Sequence, residues 1–526
     1  MRNLILVILA SLLLVGAWPT NGFAPLLFFG FVPILWLFHN SGLRFWPKYL
    51  LIGFVFLSFN LATCWWIFNA HWIGMVSAVS LNTIIMTLVF VACDRLGRHL
   101  KKSNADLLFI SLWMAMEFLM YRWDLLWPWM TLGNGFSEYI ALIQWYEYTG
   151  VLGGSLWVLL VNVALFRILN SNKGTWKSLG FARKIAIRIT LLIGIPILWS
   201  VYLMPDVSAL SRDIDVVIVQ PNVDPYTEKF TGTDYLQMKN FFQLARDKMD
   251  DDVILVVGPE TVYPSGIWEE RLDINSIPLI SNFRDSFPKT SVLLGATTYR
   301  RYKNDKSKSN TSRPLGRGAY YDVYNSSLFF DVQNQVNYSQ KGKLVPGAEM
   351  MPFANFLSPL KDAMLDFGGT SGSLGSPDSI RVFKQSPGYV LASAICYESV
   401  CGEYLAEMVA KGANVIAVIT NDGWWGDTQG YQQHMSYASL RAIENRRSVV
   451  RSANTGISGF IDITGRVSKK LTWNKSGAIR SKVKLNDYLT FYTTHGDYLG
   501  RLASFLAIAL MLFALVKSRS EKNISR

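Results

Sequence analysis

The chain has 526 residues, half of them hydrophobic, with 18 Trp and 31 Phe and a mean hydropathy of +0.21, which excludes a single water-soluble globule. Its formal charge of +13 does not describe a nucleic-acid-binding module, because much of the basic charge flanks long apolar runs. Four cysteines without a C-x-x-C pair and five histidines without helical spacing indicate neither a disulfide framework nor a zinc site, so no metal or other cofactor is expected.

Apolar runs long enough to cross a bilayer, which takes about 20 helical residues, occur at 3–17, 23–39, 49–69, 72–93, 105–121, 149–169, 185–204 and 499–517. The first follows Arg2 but precedes no A-x-A-like site, so it is expected to stay as a helix and not to act as a signal peptide. Basic residues are one-sided. Arg2, then Arg44 and Lys48, then Arg95, Arg98, Lys101 and Lys102, then Lys173, Lys177, Arg183 and Lys184 occupy the N-terminus and every second connection. Lys517, Arg519, Lys522 and Arg526 follow the last run, whereas the connections around Thr20, around Ala70 and from Arg122 to Asn134 carry almost no basic charge. The positive-inside rule then places both termini in the cytoplasm and residues 206–498 across the membrane. Glu117, in LWMAMEFLMYRW, needs a partner if it lies in lipid, and Arg122 is the candidate nearby; a structural pair and a part in shaping a lipid site are both open. Trp123, Trp127 and Trp129 fit a belt at headgroup level.

From Asp213 the pattern changes. DIDVVIVQPN, VILVVGPET, SVLLGATTY and YNSSLFFDV read as strands, and Tyr235 to Met249 has helical spacing. Further on, CGEYLAEMVAKG and HMSYASLRAIENRR are helical, with ANVIAVITND and SVVRSANTGISGFIDI as strands. Strands alternating with helices over this length predict a sheet-based α/β domain whose sites lie where strands end.

Three strand ends carry the groups that nucleophilic catalysis requires. LASAICYESV is a small-residue apolar strand that delivers Cys396 where its pattern breaks, with the Tyr397 N–H next in line as an oxyanion donor. Glu260 follows VILVVGP, and Lys341 and Lys343 follow QVNYSQ. A carboxylate can take the thiol proton, and an ammonium can stabilise both the thiolate and an oxyanion. Glu260, Lys341 and Cys396 on neighbouring strand ends would therefore suit acyl transfer. Cys401 is expected to stay out of a disulfide with Cys396, because that bond would remove the thiolate.

The segments GPETVYP, YSQKGKLVPGAEMMP and AICYES, followed by NDGWWGDTQGYQQH, resemble the nitrilase superfamily, with its Glu–Lys–Cys triad on an α-β-β-α sandwich. With the flanking spans and W-P-W-x-x-L-G at Trp127 to Gly133, the whole chain is similar to the apolipoprotein N-acyltransferase family of the bacterial inner membrane. The resemblance implies Glu260 as general base, Cys396 as nucleophile and Lys341, three residues before Leu344, as the catalytic lysine in preference to Lys343. It implies supporting or substrate-facing roles for Glu349, Tyr397 and Glu398, and for Phe230 on an arm with Tyr226 that looks like a lid. Trp424 and Trp425 would line an acyl or headgroup path, or simply pack in the core. The implied partners are a phospholipid acyl donor, a diacylglyceryl apolipoprotein acceptor and the membrane, with no nucleic acid, and the enzyme is expected to be a monomer.

The implied reaction is ping-pong, through a Cys396 thioester; a membrane-tethered amidase using water as acceptor would need the same triad. Two positions depart from the family wording: Gly258 stands where tryptophan is common, and Pro346-Gly347-Ala348-Glu349 replaces P-F-G-E with its spacing kept. The expected organisation is a polytopic α-helical membrane domain at 1–205 with seven transmembrane helices, an extracytoplasmic nitrilase-like α/β domain at 206–490, and an eighth transmembrane helix with a cytoplasmic tail at 491–526.

Overall fold

The computed structural model describes residues 1–171, 179–228, 233–273, 277–353, 373–377, 379–385 and 388–524; Phe230, Lys173 and Lys177 lie outside them. Two compact units result, one of Met1–Trp123, Trp127–Met204 and His495–Arg526, the other of Asp124–Leu126 and Pro205–Thr494.

In the first unit a helix covers each apolar run: Arg2–Ala17, Leu27–Asn40, Phe45–Cys64, Trp72–Gly97, Lys102–Leu119, Tyr146–Ser171, Leu179–Tyr202 and Tyr498–Ile524. Among the described residues, five segments are long and apolar enough to cross a membrane: Phe45–Cys64, Trp72–Gly97, Tyr146–Asn170, Ile187–Ala209 and Tyr498–Glu521. Arg2–Ala17 and Ala24–Asn40 are shorter apolar helices. Leu12, Leu50, Phe54, Leu198 and Phe505 are exposed on these helices, an outward apolar surface that suits lipid and not water. Inside, Asn162 enters the backbone ladder of another helix, accepting from the Phe31 N–H at 2.9 Å and donating to the Leu27 carbonyl at 2.7 Å.

Two local expectations are corrected in this unit. The Glu117 carboxylate takes its hydrogen bonds from Trp113 Nε1 at 3.0 Å and the Leu132 N–H at 2.9 Å, while Arg122 lies over the Phe118 ring and reaches Asp497 at 3.8 Å. The helix ends at Leu119, so Arg122 lies beyond it and points elsewhere, and the indole and backbone donors both meet Oε1 of the acid instead. Trp129 is fully buried, stacked on Trp127 and tilted against Trp66, so it belongs to the core and not to an interfacial belt.

The second unit is a two-sheet sandwich. The first sheet uses β1 (Asp213–Gln220), β2 (Val253–Val257), β3 (Tyr263–Trp268), β4 (Ser291–Tyr302), β5 (Arg313–Gly316), β6 (Ala319–Phe330) and β7 (Val336–Gln340). The second uses β8 (Phe383–Gln385), β9 (Tyr389–Ile395), β10 (Val415–Thr420), β11 (Ser448–Ala453), β12 (Ser458–Ile461) and β13 (Val467–Leu471), after which β14 (Gly477–Lys484) returns to the first. Their orders are β14-β1-β2-β4-β6-β5, with β3 on β4 and β7 on β6, and β13-β12-β11-β10-β9-β8. β1, β2 and β4 run parallel, as do β9, β10 and β11.

Strand alternation splits the apolar side chains between two layers. Val216, Ile218, Leu255 and Leu293 of the first sheet pack against Leu391, Ile395, Ala417 and Ile419 of the second. Val217, Val256 and Leu294 point the other way, onto Met238 and Phe241 of helix Asp234–Arg246 and Phe283 of helix Pro278–Ser286. Helices Gly402–Ala410 and Gln429–Asn445 contact the second sheet, completing an α-β-β-α arrangement.

Gly258 has a packing reason for carrying no side chain: a Cβ there would lie 2.6 Å from the Phe241 ring, which fills the space. Gly295 is more constrained, since its Cβ would meet only backbone: Thr261 N at 2.4 Å, Glu260 Cα at 2.7 Å and Pro259 O at 2.8 Å. That close approach is locked by Gly295 N–H to Pro259 O at 3.0 Å and Val262 N–H to Gly295 O at 2.7 Å. Gly295→Ala is therefore expected to shift the Glu260 loop, costing about 1–3 kcal/mol of stability and slowing any reaction at Cys396. Thermal unfolding and Cys396 acylation of the same preparation test this; an unchanged midpoint with unchanged acylation contradicts it.

Candidate active site

Cys396 is the first residue after β9 and opens the 3-10 turn Cys396–Val400. Its φ is +51°, a left-handed conformation that costs a non-glycine residue energy and turns the chain sharply off the strand. Glu398 holds the turn, accepting from the Ile395 N–H at 2.6 Å and from the Gly342 N–H at 2.6 Å, which ties the turn to the loop after Lys341. Burial pushes the Glu398 carboxyl up to about 7, against the pull of those donors.

Parallel register pairs Ile395 with Ile419, which brings Cys396 to the level of Thr420 on the neighbouring strand. The next residue, Asn421, donates its N–H to Glu260 Oε2 at 3.0 Å. Glu260 Oε1 accepts from Asn325 Nδ2 at 2.6 Å and from Lys341 Nζ at 3.3 Å. The residue after it, Thr261, is also left-handed, with φ +57°, so two strand-end loops at the site carry backbone strain.

Lys341 follows β7 directly, is 1% exposed, and donates from Nζ to Glu349 Oε1 at 2.8 Å. Glu349 is oriented through its other oxygen by the Val345 N–H at 2.9 Å. Burial alone would lower the Lys341 ammonium, but the Glu349 and Glu260 carboxylates outweigh it and hold it well above the usual lysine range. Burial pushes the Cys396 thiol up to about 12; the Glu260 charge adds to this and Lys341 opposes it. The resting sulfur is thus a thiol beside a carboxylate able to take its proton and an ammonium able to balance the resulting charge. Lys343 is placed differently, 5.6 Å from the centre of the Tyr404 ring.

Glu260, Lys341, Cys396, Glu349 and Glu398 accordingly fall in one connected cluster. Tyr397 contributes the first backbone N–H after the nucleophile, and its hydroxyl donates to the Leu126 carbonyl at 2.9 Å. Trp424 is half-buried; its carbonyl accepts from the Tyr226 hydroxyl at 2.9 Å and the two rings meet edge to face at 5.2 Å. Phe230 is outside the described residues. Sequence reasoning passed over Asn325 and Asn421, which hydrogen-bond the Glu260 carboxylate directly. The only available signal was the position of Asn421 at the end of an apolar strand, leading into NDGWWGD. Among the described residues, no group of three or more His, Cys, Asp or Glu side chains could hold a metal ion.

A strained cysteine, a carboxylate and a buried lysine thus meet at the ends of three strands in an α-β-β-α sandwich, the placement that the resemblance to the nitrilase superfamily leads one to expect. The carbon-nitrogen hydrolase family model matches residues 216–490, and the chain belongs to that family. Residues 10–164 match the apolipoprotein N-acyltransferase N-terminal domain, so both halves of the molecule agree with one type of enzyme. An apolipoprotein N-acyltransferase of Chlorobaculum tepidum is 27% identical, over 95% of this chain and 94% of the relative. Another from Photobacterium profundum is 26% identical, over 78% and 73%. Among solved structures, Saccharomyces cerevisiae Nit3, of the nitrilase superfamily, is similar at a TM-score of 0.38 and 16% identity, covering 53% of this chain and 92% of its own.

The ion cluster sets a stability order. Lys341→Met leaves the Glu260 and Glu349 carboxylates without their shared counter-charge, an expected loss of about 3–5 kcal/mol. Glu349→Gln keeps the Lys341–Glu260 contact and should cost less. Thermal midpoints of the full-length variants in one detergent check the order, and a Lys341→Met midpoint equal to wild type contradicts it.

Proposed function

We propose that the protein transfers a fatty acyl chain from a membrane phospholipid, through a thioester on Cys396, to the free α-amine of the diacylglyceryl-cysteine of an apolipoprotein. The observation that carries this reading is the strained Cys396 turn beside the Glu260–Lys341 ion pair, in a chain whose other unit is built of apolar helices. Similarity to named apolipoprotein N-acyltransferases along nearly all of the chain favours this acceptor over water.

In this reading Glu260 takes the Cys396 proton as sulfur attacks the ester carbonyl carbon. The Tyr397 N–H and the Lys341 ammonium face the oxyanion. Collapse breaks the ester C–O bond, the proton passes from Glu260 to the departing oxygen, and lysophospholipid leaves behind the thioester. The lipoprotein amine then attacks the thioester and gives a proton to Glu260; the C–S bond breaks and Cys396 recovers its proton. The products are an amide and the free thiol, so no oxidant, reductant or nucleotide enters. Glu349 and Glu398 hold Lys341 and the nucleophile turn in register through the hydrogen bonds described above.

The one-sided basic residues support a multi-pass inner-membrane arrangement with eight transmembrane helices, both termini cytoplasmic and the α/β unit on the periplasmic side. There Cys396 would meet acyl chains that cannot leave the bilayer.

Detergent-solubilised wild type and Cys396→Ala, incubated with phospholipid and then with a diacylated lipopeptide, test the reaction by intact mass. The expected result is a Cys396-dependent increment of one fatty acyl group that moves to the lipopeptide amine. Free fatty acid with unmodified lipopeptide would replace the transferase reading by the hydrolase one. Glu260→Gln should slow adduct formation by about two to four orders of magnitude, the usual contribution of a general base; adduct formation at the wild-type rate contradicts that role.

A further inference from the structure

Beneath the nucleophile turn lies a polar cluster that the triad does not use. His434, on helix Gln429–Asn445, is fully buried, with Nε2 2.8 Å from Ser399 Oγ and 3.3 Å from the carbonyl oxygen of Cys396. Ser399 Oγ donates to that same carbonyl at 2.7 Å. On the other side of the ring, Nδ1 is 2.9 Å from Asp422 Oδ1 and 3.1 Å from Arg451 Nη2, and Arg451 Nη2 donates to Asp422 Oδ2 at 2.6 Å. Asp422 is also fixed by the Thr420 hydroxyl, which donates to Oδ1 at 2.9 Å.

A buried ion pair is an expensive way to hold one ring, and it needs a reason. The chemistry of the partners supplies one. A carbonyl oxygen can only accept, so His434 holds the Cys396 carbonyl with its proton on Nε2; Nδ1 then accepts from Arg451 Nη2, and the Asp422 carboxylate takes its hydrogen bonds from Thr420 on Oδ1 and Arg451 on Oδ2. A second proton, on Nδ1, is favoured by the Asp422 carboxylate, but burial and the Arg451 charge outweigh it and hold His434 below the ordinary histidine range. The Cys396 carbonyl and the Tyr397 N–H are the two ends of one planar peptide unit, so fixing the first fixes the direction of the second. The left-handed Cys396 leaves that peptide without the support of a regular strand or α-helix on its N-terminal side.

We propose that His434 and Ser399 are positioning residues for the oxyanion donor: by gripping the Cys396 carbonyl they set the peptide plane that aims the Tyr397 N–H. Arg451, itself paired with Asp422, anchors the ring from behind. A serine hydroxyl bonding the carbonyl three residues back is a common local contact; the histidine on the same oxygen, held by its own ion pair, makes this one a built support. The inference rests on the proposed attack of Cys396 on an ester carbonyl.

The test compares two reactions of one thiol in the full-length detergent-solubilised protein. Acylation by phospholipid passes through an oxyanion, whereas alkylation by iodoacetamide displaces iodide at carbon and builds none. Ser399→Ala is expected to slow single-turnover acylation about tenfold to a hundredfold, a fraction of the loss from deleting an oxyanion donor outright. KM for phospholipid and the alkylation rate should stay within about twofold. Ser399→Thr, which keeps the hydroxyl, should recover most of the acylation rate. His434→Leu, which removes the ring N–H from the Cys396 carbonyl, is expected to lower acylation relative to alkylation in the same way and decides if Ser399→Ala does not fold. Acylation of Ser399→Ala at the wild-type rate overturns the inference alone, as does a parallel fall in acylation and alkylation. No Cys396-dependent adduct on wild type overturns the acyl-transfer reading and the inference with it.

Discussion

The site depends on one ammonium group that water cannot reach. Lys341 is buried to 1% exposure between the carboxylates of Glu260 and Glu349. Removing three charges from water costs several kcal/mol per ion unless each finds partners of good geometry. Those partners come from separate parts of the chain: Asn325 from β6, Asn421 after β10, and the Val345 N–H on the loop that carries Glu349. The charges therefore hold in place the loops that deliver them, and a strand shifted by one residue would leave at least one charge unpaired.

The same economy governs the backbone. Left-handed Cys396 and Thr261 each cost of order 1–3 kcal/mol, and such strain persists only where surrounding contacts over-determine it. Around Thr261 the determinant is the backbone-to-backbone approach of Gly295; around Cys396 it is Glu398, bonded to the residue before the turn and to the loop after Lys341. Rigid parallel strands behind both turns, packed through Leu255, Leu293, Ile395 and Ile419, give these local contacts something to push against.

Much of this architecture could be read from the residue pattern, because its core strands are continuous apolar runs that allow few alternatives. Three strand ends carrying Glu260, Lys341 and Cys396 stood out for the same reason, as ionisable groups where apolar pattern stops. What escaped reading was decided by contacts between distant segments. β13 and β14, VSKKL and GAIRSKVK, look like solvated charged loops, yet β14 pairs along its whole length with β1 and carries Arg480 onto Asp215. Glu117 and Trp129 were assigned from composition in a membrane context, whereas Trp113 Nε1, the Leu132 N–H and the Trp66 ring settle their surroundings. Asn325 in YNSSLFFDV has no mark of importance until β6 passes between β4 and β7.

A thiol pushed up to about 12 is at first sight a poor nucleophile, yet the surroundings give that value a use. A permanently ionised thiolate in an apolar pocket would need a full counter-charge and would react with any electrophile. Here the ammonium is already committed to two carboxylates, so in the proposed reaction it would stabilise a transient charge on sulfur or on the carbonyl oxygen better than a standing one. Sulfur would then lose its proton only while a bond to carbon forms, with Glu260 as the acceptor. Activation of the cysteine would thus be coupled to the presence of a bound carbonyl.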